Sequence, residues 1–199
     1  MHPETFIFIG RSGCGKGTQA KLLIDILKAR DHDRDVFYLE TGAQFRELIK
    51  KPTFTSSLAY DIYKSGELQP SFLAIHVWSH EFIAGLNGRQ HMVLDGTPRG
   101  LGEAMILDGA LRFYQRVKPT IVYMNVSNAW SQERLRDRKR SDDRSQDEVT
   151  KRLAWFDKDV MPAVEYFRNE PWYNFIEVNG EQSIEVVWAE LQEKINFSK

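Results

Sequence analysis

The chain has 199 residues, a formal net charge of −1 and 42% hydrophobic residues, which is ordinary for one folded domain with a substantial core. The balanced charge excludes a global basic field that would draw the protein to nucleic acid. The single cysteine, Cys14, excludes an internal disulfide and a cysteine-based zinc site. The sequence shows no secretory segment and no apolar run of membrane-spanning length. We therefore expect a cytoplasmic enzyme, monomeric, with neither membrane nor nucleic-acid partners.

Five short apolar runs alternate with helical patterns along the chain. They predict strands at 5–9, 35–39, 91–94, 120–125 and 174–178. Nearly continuous apolar strands that alternate with helices are typical of a parallel sheet covered by helices on both faces. The sequence therefore predicts an α/β fold.

The helical patterns are interrupted at predictable places. Residues 127–138 predict a helix capped by Ser127 or Asn128, and Pro162 should kink or break the pattern over 146–168. A C-terminal amphipathic helix is predicted over 184–195. Residues 42–88 hold several short helices and residues 138–147 are almost wholly polar, so both stretches are candidates for mobile pieces over a ligand.

The glycine-rich segment 10–19, with the sequence GRSGCGKGTQ, lies between the first predicted strand and the first predicted helix. In this context glycines leave backbone N–H groups able to surround an anion, and the helix N-terminus adds its positive dipole end. Lys16 supplies a full positive charge for the outer phosphates. Gly17 stands where the strict phosphate-loop pattern has Ser or Thr, and Thr18 follows it.

Two further segments follow strands and carry arginines. Asp95-Gly96-Thr97-Pro98-Arg99 follows the third strand, where an acid in a phosphate-loop protein holds Mg²⁺ or its waters, with helix capping as the alternative. Thr41 follows the second strand, where it can cap the next helix, and Arg46 lies one turn into that helix. Arg46 and Arg99 suggest two cations that converge on one anion.

The densest positive cluster is formed by Arg134, Arg136, Arg138 and Arg140. Arg134 and Arg138 share a helix face, where like charges repel and a bound anion would relieve the repulsion. A triphosphate site explains the cluster, and Arg152 on the next helix could join it. Nucleic-acid binding is the alternative, weakened by the balanced net charge.

With these motifs on one chain, the sequence resembles the adenylate kinases, of the nucleoside monophosphate kinase family. The resemblance is collinear from the first strand to the last helix. Besides the phosphate loop it rests on these segments: Thr41-Gly42 with Arg46, Gly66-Glu67-Leu68-Gln69-Pro70, Asp95 to Arg99, Arg134 with Arg138, Arg140 to Asp143, Arg152-Leu153 and Val178-Asn179-Gly180.

The resemblance implies a P-loop NTPase-like fold with a five-stranded parallel sheet, a helical monophosphate-binding subdomain over about 41–70 and a lid over about 138–147. The core would then comprise 1–40, 89–137 and 148–199. It also implies phosphoryl transfer from Mg-ATP to a nucleoside monophosphate, AMP first, with Mg²⁺ held through water near Asp95 and no zinc.

The same resemblance assigns residues to three groups. The catalytic residues would be Lys16, Asp95, Arg138, Arg140 and Arg152. ATP would be bound by Gly13, Cys14, Gly15, Lys16, Gly17, Thr18, Arg134 and Gly180. The monophosphate would be bound by Thr41, Arg46, Leu68, Gly96, Arg99 and Glu103.

Three departures from the family pattern bear on this assignment. Lys139 is the one residue between Arg138 and Arg140, so the lid is minimal and water exclusion should be poorer. One extra residue before Arg152 leaves the register of Asp142 and Asp143 open. Glu103 replaces the usual glutamine, and Thr97 replaces an aromatic residue.

These departures leave the acceptor base open. A carboxylate only accepts hydrogen bonds, which favours the two donors of guanine, so a GMP kinase is the first alternative. A nucleotide-binding protein with weak transfer and a nucleic-acid-dependent ATPase are the others.

Overall fold

The computed structural model describes residues 2–137 and 146–196. Its strands are β1 (Thr5–Gly10), β2 (Val36–Glu40), β3 (His91–Asp95), β4 (Thr120–Asn125) and β5 (Asn174–Asn179). Its helices are α1 (Lys16–Arg30), α2 (Thr41–Leu48), α3 (Phe54–Lys64), α4 (Ser71–Gly85), α5 (Leu101–Phe113), α6 (Asn128–Asp137), α7 (Gln146–Trp155), α8 (Met161–Asn169) and α9 (Ile184–Ile195). A π-helical segment, Phe156–Val160, joins α7 to α8.

The five strands form one parallel sheet in the order β2-β3-β1-β4-β5. All five predicted strands are therefore confirmed, with bounds that shift by one residue at most. The chain leaves β1 toward one side of the sheet and later returns to the other side of it. The carboxyl end of β1 is thus the switch point where such sheets bind ligands.

Helices cover both faces, as predicted, because the side chains of each strand alternate between two cores. Ile7 and Ile9 of β1 pack into a cluster with residues of α4, α5 and α8. Phe6 and Phe8 pack into the opposite cluster with residues of α1 and α9. Strands that bury both faces must be apolar at nearly every position, which is why the sequence pattern identified them.

The segment between β2 and β3 holds α2, α3 and α4, which confirms the prediction of several short helices. A small separate core holds α2, α3 and α4 together, with Phe45, Ala59 and Val77 among its buried members. This group of helices borders the switch point from the β2 side.

Helix boundaries follow local chemistry. The Ser127 hydroxyl accepts a bond from the Trp130 N–H at 3.2 Å, so Ser127 caps α6. No break is seen at Pro162 itself: α7 ends at Trp155, the π-helical segment Phe156–Val160 follows without a gap, and Pro162 lies in the first turn of α8, where its missing N–H is tolerated. The proposed cap Thr41 is wrong: it is the first residue of α2, and its buried hydroxyl has no hydrogen-bond partner among the described residues.

Candidate active site

A pocket of about 610 Å³ lies over the carboxyl ends of β1, β2 and β3. The phosphate loop lines its floor, and every loop residue predicted to bind ATP contributes to that lining. Gly13 and Gly15 have φ values of +87° and +94°, a backbone region that favours glycine. The loop therefore takes the curled path that lets its N–H groups face a phosphate.

Lys16 begins α1 and folds back over the loop. Its Nζ donates to the carbonyl oxygens of Gly10 at 2.7 Å and Arg11 at 2.9 Å, and lies 3.5 Å from the Cys14 Sγ. The ammonium is thus held at the mouth of the loop by two neutral carbonyl oxygens. A phosphate oxygen would replace them with an acceptor that carries negative charge.

Asp95 ends β3 and faces the start of α1. It is 7% exposed, and a Cβ at Gly17 would lie 3.2 Å from its Oδ2. A side chain at position 17 would therefore press on this carboxylate, which would have to shift by a few tenths of an ångström. Asp95 lines the pocket together with Lys16, Arg46, Arg99 and Arg152.

Arg46 and Arg99 converge at Gly42, as the sequence predicted. A Cβ at Gly42 would lie 3.3 Å from Nη1 of Arg46 and 3.6 Å from Nη2 of Arg99. Glu40 accepts a bond from Arg46 at 2.7 Å, and the Gly96 carbonyl accepts one from Nε of Arg99 at 2.8 Å. The Oε1 of Glu40 lies 4.0 Å from the same Cβ position, so the carboxylate that anchors Arg46 borders the meeting point. The Gly96 carbonyl holds Nε of Arg99, and an Nη group of each arginine faces Gly42.

Arg99 has charged neighbours of both signs. Burial lowers the pKa of Arg99, and the positive charges of Arg152 and Arg46 lower it further, while Glu103 and Asp95 oppose the shift. An anion at the meeting point would relieve the repulsion among the three arginines. Arg152 is 8% exposed, lies near the end of α7 and lines the pocket.

The far end of the pocket is bordered by α6 and by the loop after β5. Arg134 and Gly180, both predicted to meet ATP, line this corner. Gly180 packs tightly there, because a Cβ on it would lie 2.6 Å from Val126 and 3.4 Å from the Cys14 carbonyl. The corner is therefore continuous with the phosphate loop.

Three residues predicted to bind the monophosphate do not line the pocket: Thr41, Leu68 and Glu103. The Glu103 side chain is 2% exposed, and its oxygens accept bonds from the Thr97 hydroxyl and, at 2.8 Å, from the Arg99 N–H. Glu103 thus supports the loop that carries Arg99. Gly96, Arg46 and Arg99 do line the pocket.

Arg138 and Arg140, together with Asp142 and Asp143, lie outside the described residues. Their predicted roles in the lid therefore stay predictions.

Sequence reasoning missed several residues that the fold brings to the pocket wall. Those that line it are Glu40, Gln69, Trp130 and Trp155. Gln69 donates to the Ala59 carbonyl at 2.8 Å, and Trp155 to the Gly66 carbonyl at 3.4 Å. Glu40 carried a usable signal as an acid at the end of a strand, and Gln69 lies in the segment Gly66 to Pro70 that carries part of the family resemblance.

Among the described residues, no group of three or more His, Cys, Asp or Glu side chains is arranged to hold a metal ion. No helix in the described part is long and apolar enough to cross a membrane.

Comparison with known proteins gives matches over most of the chain. A family profile described as "Adenylate kinase" matches residues 8–171. The adenylate kinase of Oenococcus oeni is 28% identical over 182 residues, which cover 91% of this chain and 93% of that protein. Adenylate kinase 1 of a Nostoc species is 28% identical, and the match covers 94% of this chain and 95% of that protein. The adenylate kinase of a Synechococcus species is 29% identical, and the match covers 95% of this chain and 97% of that protein.

Proposed function

Because the chain belongs to the adenylate kinase family, a family of phosphotransferases, we propose that the pocket over β1, β2 and β3 is its active site. The reaction is the reversible transfer of the terminal phosphoryl group of ATP to AMP, which gives two ADP. The nearly full-length relatives named above are adenylate kinases, and none of them favours another acceptor.

The observation that carries the proposal is that two sets of cationic groups line one pocket, with Asp95 also in its lining. On one side Lys16 and the loop surround one phosphate position, and on the other Arg46 and Arg99 converge at Gly42. Phosphoryl transfer needs donor and acceptor aligned and their charge neutralised, with little covalent help from the protein. A pocket with one cationic cradle for each nucleotide supplies both.

On the donor side, Lys16 and the backbone N–H groups of residues 13–18 hold the ATP phosphates. Lys16 exchanges its two carbonyl ligands for phosphate oxygens, which moves its charge toward the group being transferred. Arg134 and Gly180 contact the ATP base at the far corner. The support for these roles is the lining of the pocket and the collinear motifs.

On the acceptor side, Arg46 and Arg99 bind the AMP phosphate, and Gly96 provides close backbone approach. Thr41, Leu68 and Glu103 support this side without lining the pocket. Glu103 does so by accepting a hydrogen bond from the Arg99 N–H. Arg152 stands between the two cradles and, with Arg138 and Arg140, neutralises the transferring phosphoryl group.

The residues present fit a magnesium ion that is bound mostly by water and phosphate. Mg²⁺ keeps several waters and takes one or two carboxylates beside substrate phosphates, and Asp95 is a carboxylate at the edge of the phosphate loop. When bound with ATP, the ion neutralises charge on the phosphates and helps to orient them. Zinc has no part in this proposal.

The proposed organisation has a core of 1–40, 89–137 and 148–199, a monophosphate-binding subdomain over about 41–70 and a short lid over about 138–147. Closure of the last two would exclude water from the transferring group. The protein would act as a cytoplasmic monomer on free nucleotides. The net charge of −1 supports the exclusion of nucleic acid as a partner.

The test is ADP formation from Mg-ATP with AMP, GMP, CMP, UMP and dTMP in turn, with Lys16→Ala as the blank. We expect a clear preference for AMP and a rate in the blank at least about a hundredfold lower. A preference for GMP would keep the mechanism but reassign the acceptor pocket. Bound ATP without transfer to any acceptor would contradict the proposed activity.

A further inference from the structure

The donor corner contains an aromatic residue that the family motifs do not include. Trp130 lies in the first turn of α6, one turn before Arg134, and both side chains line the pocket. The Cζ atom of Arg134 lies 4.7 Å from the centroid of the Trp130 ring. This is the geometry of a cation–π contact between a guanidinium and an indole.

The position of this pair beside the phosphate loop is fixed from two directions. The Ser127 cap holds the Trp130 backbone, and the indole packs against the core cluster beneath α1 and α9. Helix α6 also packs tightly against the phosphate loop. A Cβ at Gly13 would lie 3.1 Å from the Ser131 carbonyl and 3.2 Å from Leu135. Ser131 and Leu135 are fully buried against the loop, so their neighbours Trp130 and Arg134 stand at its rim.

From this geometry we infer that Trp130 is a positioning residue for the ATP base. The inference rests on the proposed placement of ATP at this corner. The indole holds the Arg134 guanidinium flat, so that its outer face is a ready platform for a purine. The donor base, the guanidinium and the indole then form one three-layer stack.

Such a stack has a chemical consequence for the donor. A guanidinium plane attracts the π face of any base and reads no hydrogen-bond pattern of its own. The contribution of Trp130 should therefore depend on the presence of a base and hardly on which purine it is. Inorganic tripolyphosphate carries the phosphates without the base and should not sense Trp130.

The experiment compares Trp130→Leu, which removes the ring, with Trp130→Phe, which keeps a weaker aromatic face. We expect Trp130→Leu to raise the KM for ATP about threefold to tenfold, and Trp130→Phe to recover most of the loss. The kcat and the KM for AMP should be unchanged. The inhibition constant of magnesium tripolyphosphate should be the same in both variants as in the wild type.

Trp188→Leu is the matched control, because Trp188 is a half-buried tryptophan that does not line the pocket. The difference in fluorescence between wild type and Trp130→Phe adds a direct measurement. We expect Mg-ATP to change the Trp130 emission and magnesium tripolyphosphate to leave it unchanged.

The inference is overturned if Trp130→Leu leaves the KM for ATP unchanged. It is overturned equally if the tripolyphosphate constant rises by the same factor, since Trp130 would then support the loop and not the base. Either result leaves ADP formation by the wild-type enzyme intact. Failure of the wild type to transfer phosphate to AMP would instead refute the proposed function.

Discussion

At the scale of single residues, the contacts of Glu103 suggest a different role from the one that the sequence predicted. The sequence predicted that Glu103 binds the acceptor base, which made GMP the first alternative acceptor. In the structure its carboxylate is buried and accepts from the Thr97 hydroxyl and the Arg99 N–H. Both bonds lie within the loop that holds Arg99, so its effect on AMP should pass through the phosphate and not the base.

We predict that Glu103→Leu raises the KM for AMP about tenfold, because a buried N–H and a buried hydroxyl lose their acceptors at a cost of about 1–3 kcal/mol. Glu103→Gln should be much milder, since one amide oxygen still accepts and the Thr97 hydroxyl can accept from the amide nitrogen. Steady-state kinetics with AMP and GMP measure both variants. A shift of the AMP to GMP ratio by more than about tenfold in either variant would show instead that residue 103 reads the base.

At the scale of elements, the phosphate loop is tied directly to the segment that follows α7. Arg11 donates to both carboxylate oxygens of Asp157, at 3.0 Å for the longer bond, and lies over the Phe156 ring at 4.4 Å. Its Nε also donates to the Val126 carbonyl at 3.1 Å. Asp157 lies in the π-helical segment, one turn beyond Arg152, so this link ties the element that carries Arg152, the proposed catalytic arginine, to the loop.

We predict that Arg11→Met and Asp157→Asn each lower kcat about threefold to tenfold and barely change either KM, because alignment is lost while the nucleotide contacts remain. The double variant should show the loss once, which a double-mutant cycle detects. Arg168→Met, which breaks an ion pair with Glu177 away from the pocket, is the control. Additive losses in the double variant would mean that the two side chains act separately.

Much of the sheet could be predicted because strands buried on both faces must be apolar throughout, as Ile7 and Phe8 illustrate. The helix start at Ser127 follows from local chemistry and was predicted too, whereas the helical run continues through Pro162 by way of the π-helical segment. The pocket wall was harder, because Gln69 and Trp155 reach it only when segments distant in the sequence pack together. Glu103 was placed near the acceptor by the resemblance to the adenylate kinases, but a resemblance does not tell where a turn directs a carboxylate.

At the scale of the whole molecule, the end of the sheet opposite the pocket carries a titrating centre. His91 begins β3, is 1% exposed and accepts the Glu4 N–H on its Nδ1 at 3.1 Å. Its Nε2 lies 3.5 Å from the Asp31 carboxylate. Burial lowers the pKa of His91; Glu4 and Asp31 oppose that shift, whereas Arg34 adds to it. Protonation would put a hydrogen on Nδ1 against the Glu4 N–H.

Because the pKa of His91 is lower in the folded chain than in the unfolded one, the unfolded chain binds more protons below about pH 6.5. Stability contributed by neutral His91 is therefore present above that pH and lost as the pH falls toward the folded pKa. We predict that the melting temperature of His91→Asn, whose amide oxygen can still accept the Glu4 N–H, falls less between pH 7 and pH 5 than that of the wild type. Parallel pH dependences in the two proteins would rule His91 out.

A second property of the whole molecule is how well it excludes water. The sequence leaves only Lys139 between the predicted lid residues Arg138 and Arg140. With so short a lid, we predict detectable ATP hydrolysis when no acceptor is present, beside a faster transfer to AMP. Phosphate release measured without AMP, with Lys16→Ala as the blank, tests this. A strictly acceptor-dependent enzyme would show that another element closes the site.

The proposed function places two nucleotides in one pocket, each in its own cationic cradle. The most direct test is to vary ATP and AMP together in steady-state kinetics of the wild type, Lys16→Ala and Arg99→Ala. We predict that Arg99→Ala raises the KM for AMP at least about tenfold with little change in the KM for ATP, whereas Lys16→Ala mainly lowers kcat and weakens ATP. If both variants instead lose kcat/KM equally for ATP and for AMP, the two cradles do not serve separate nucleotides.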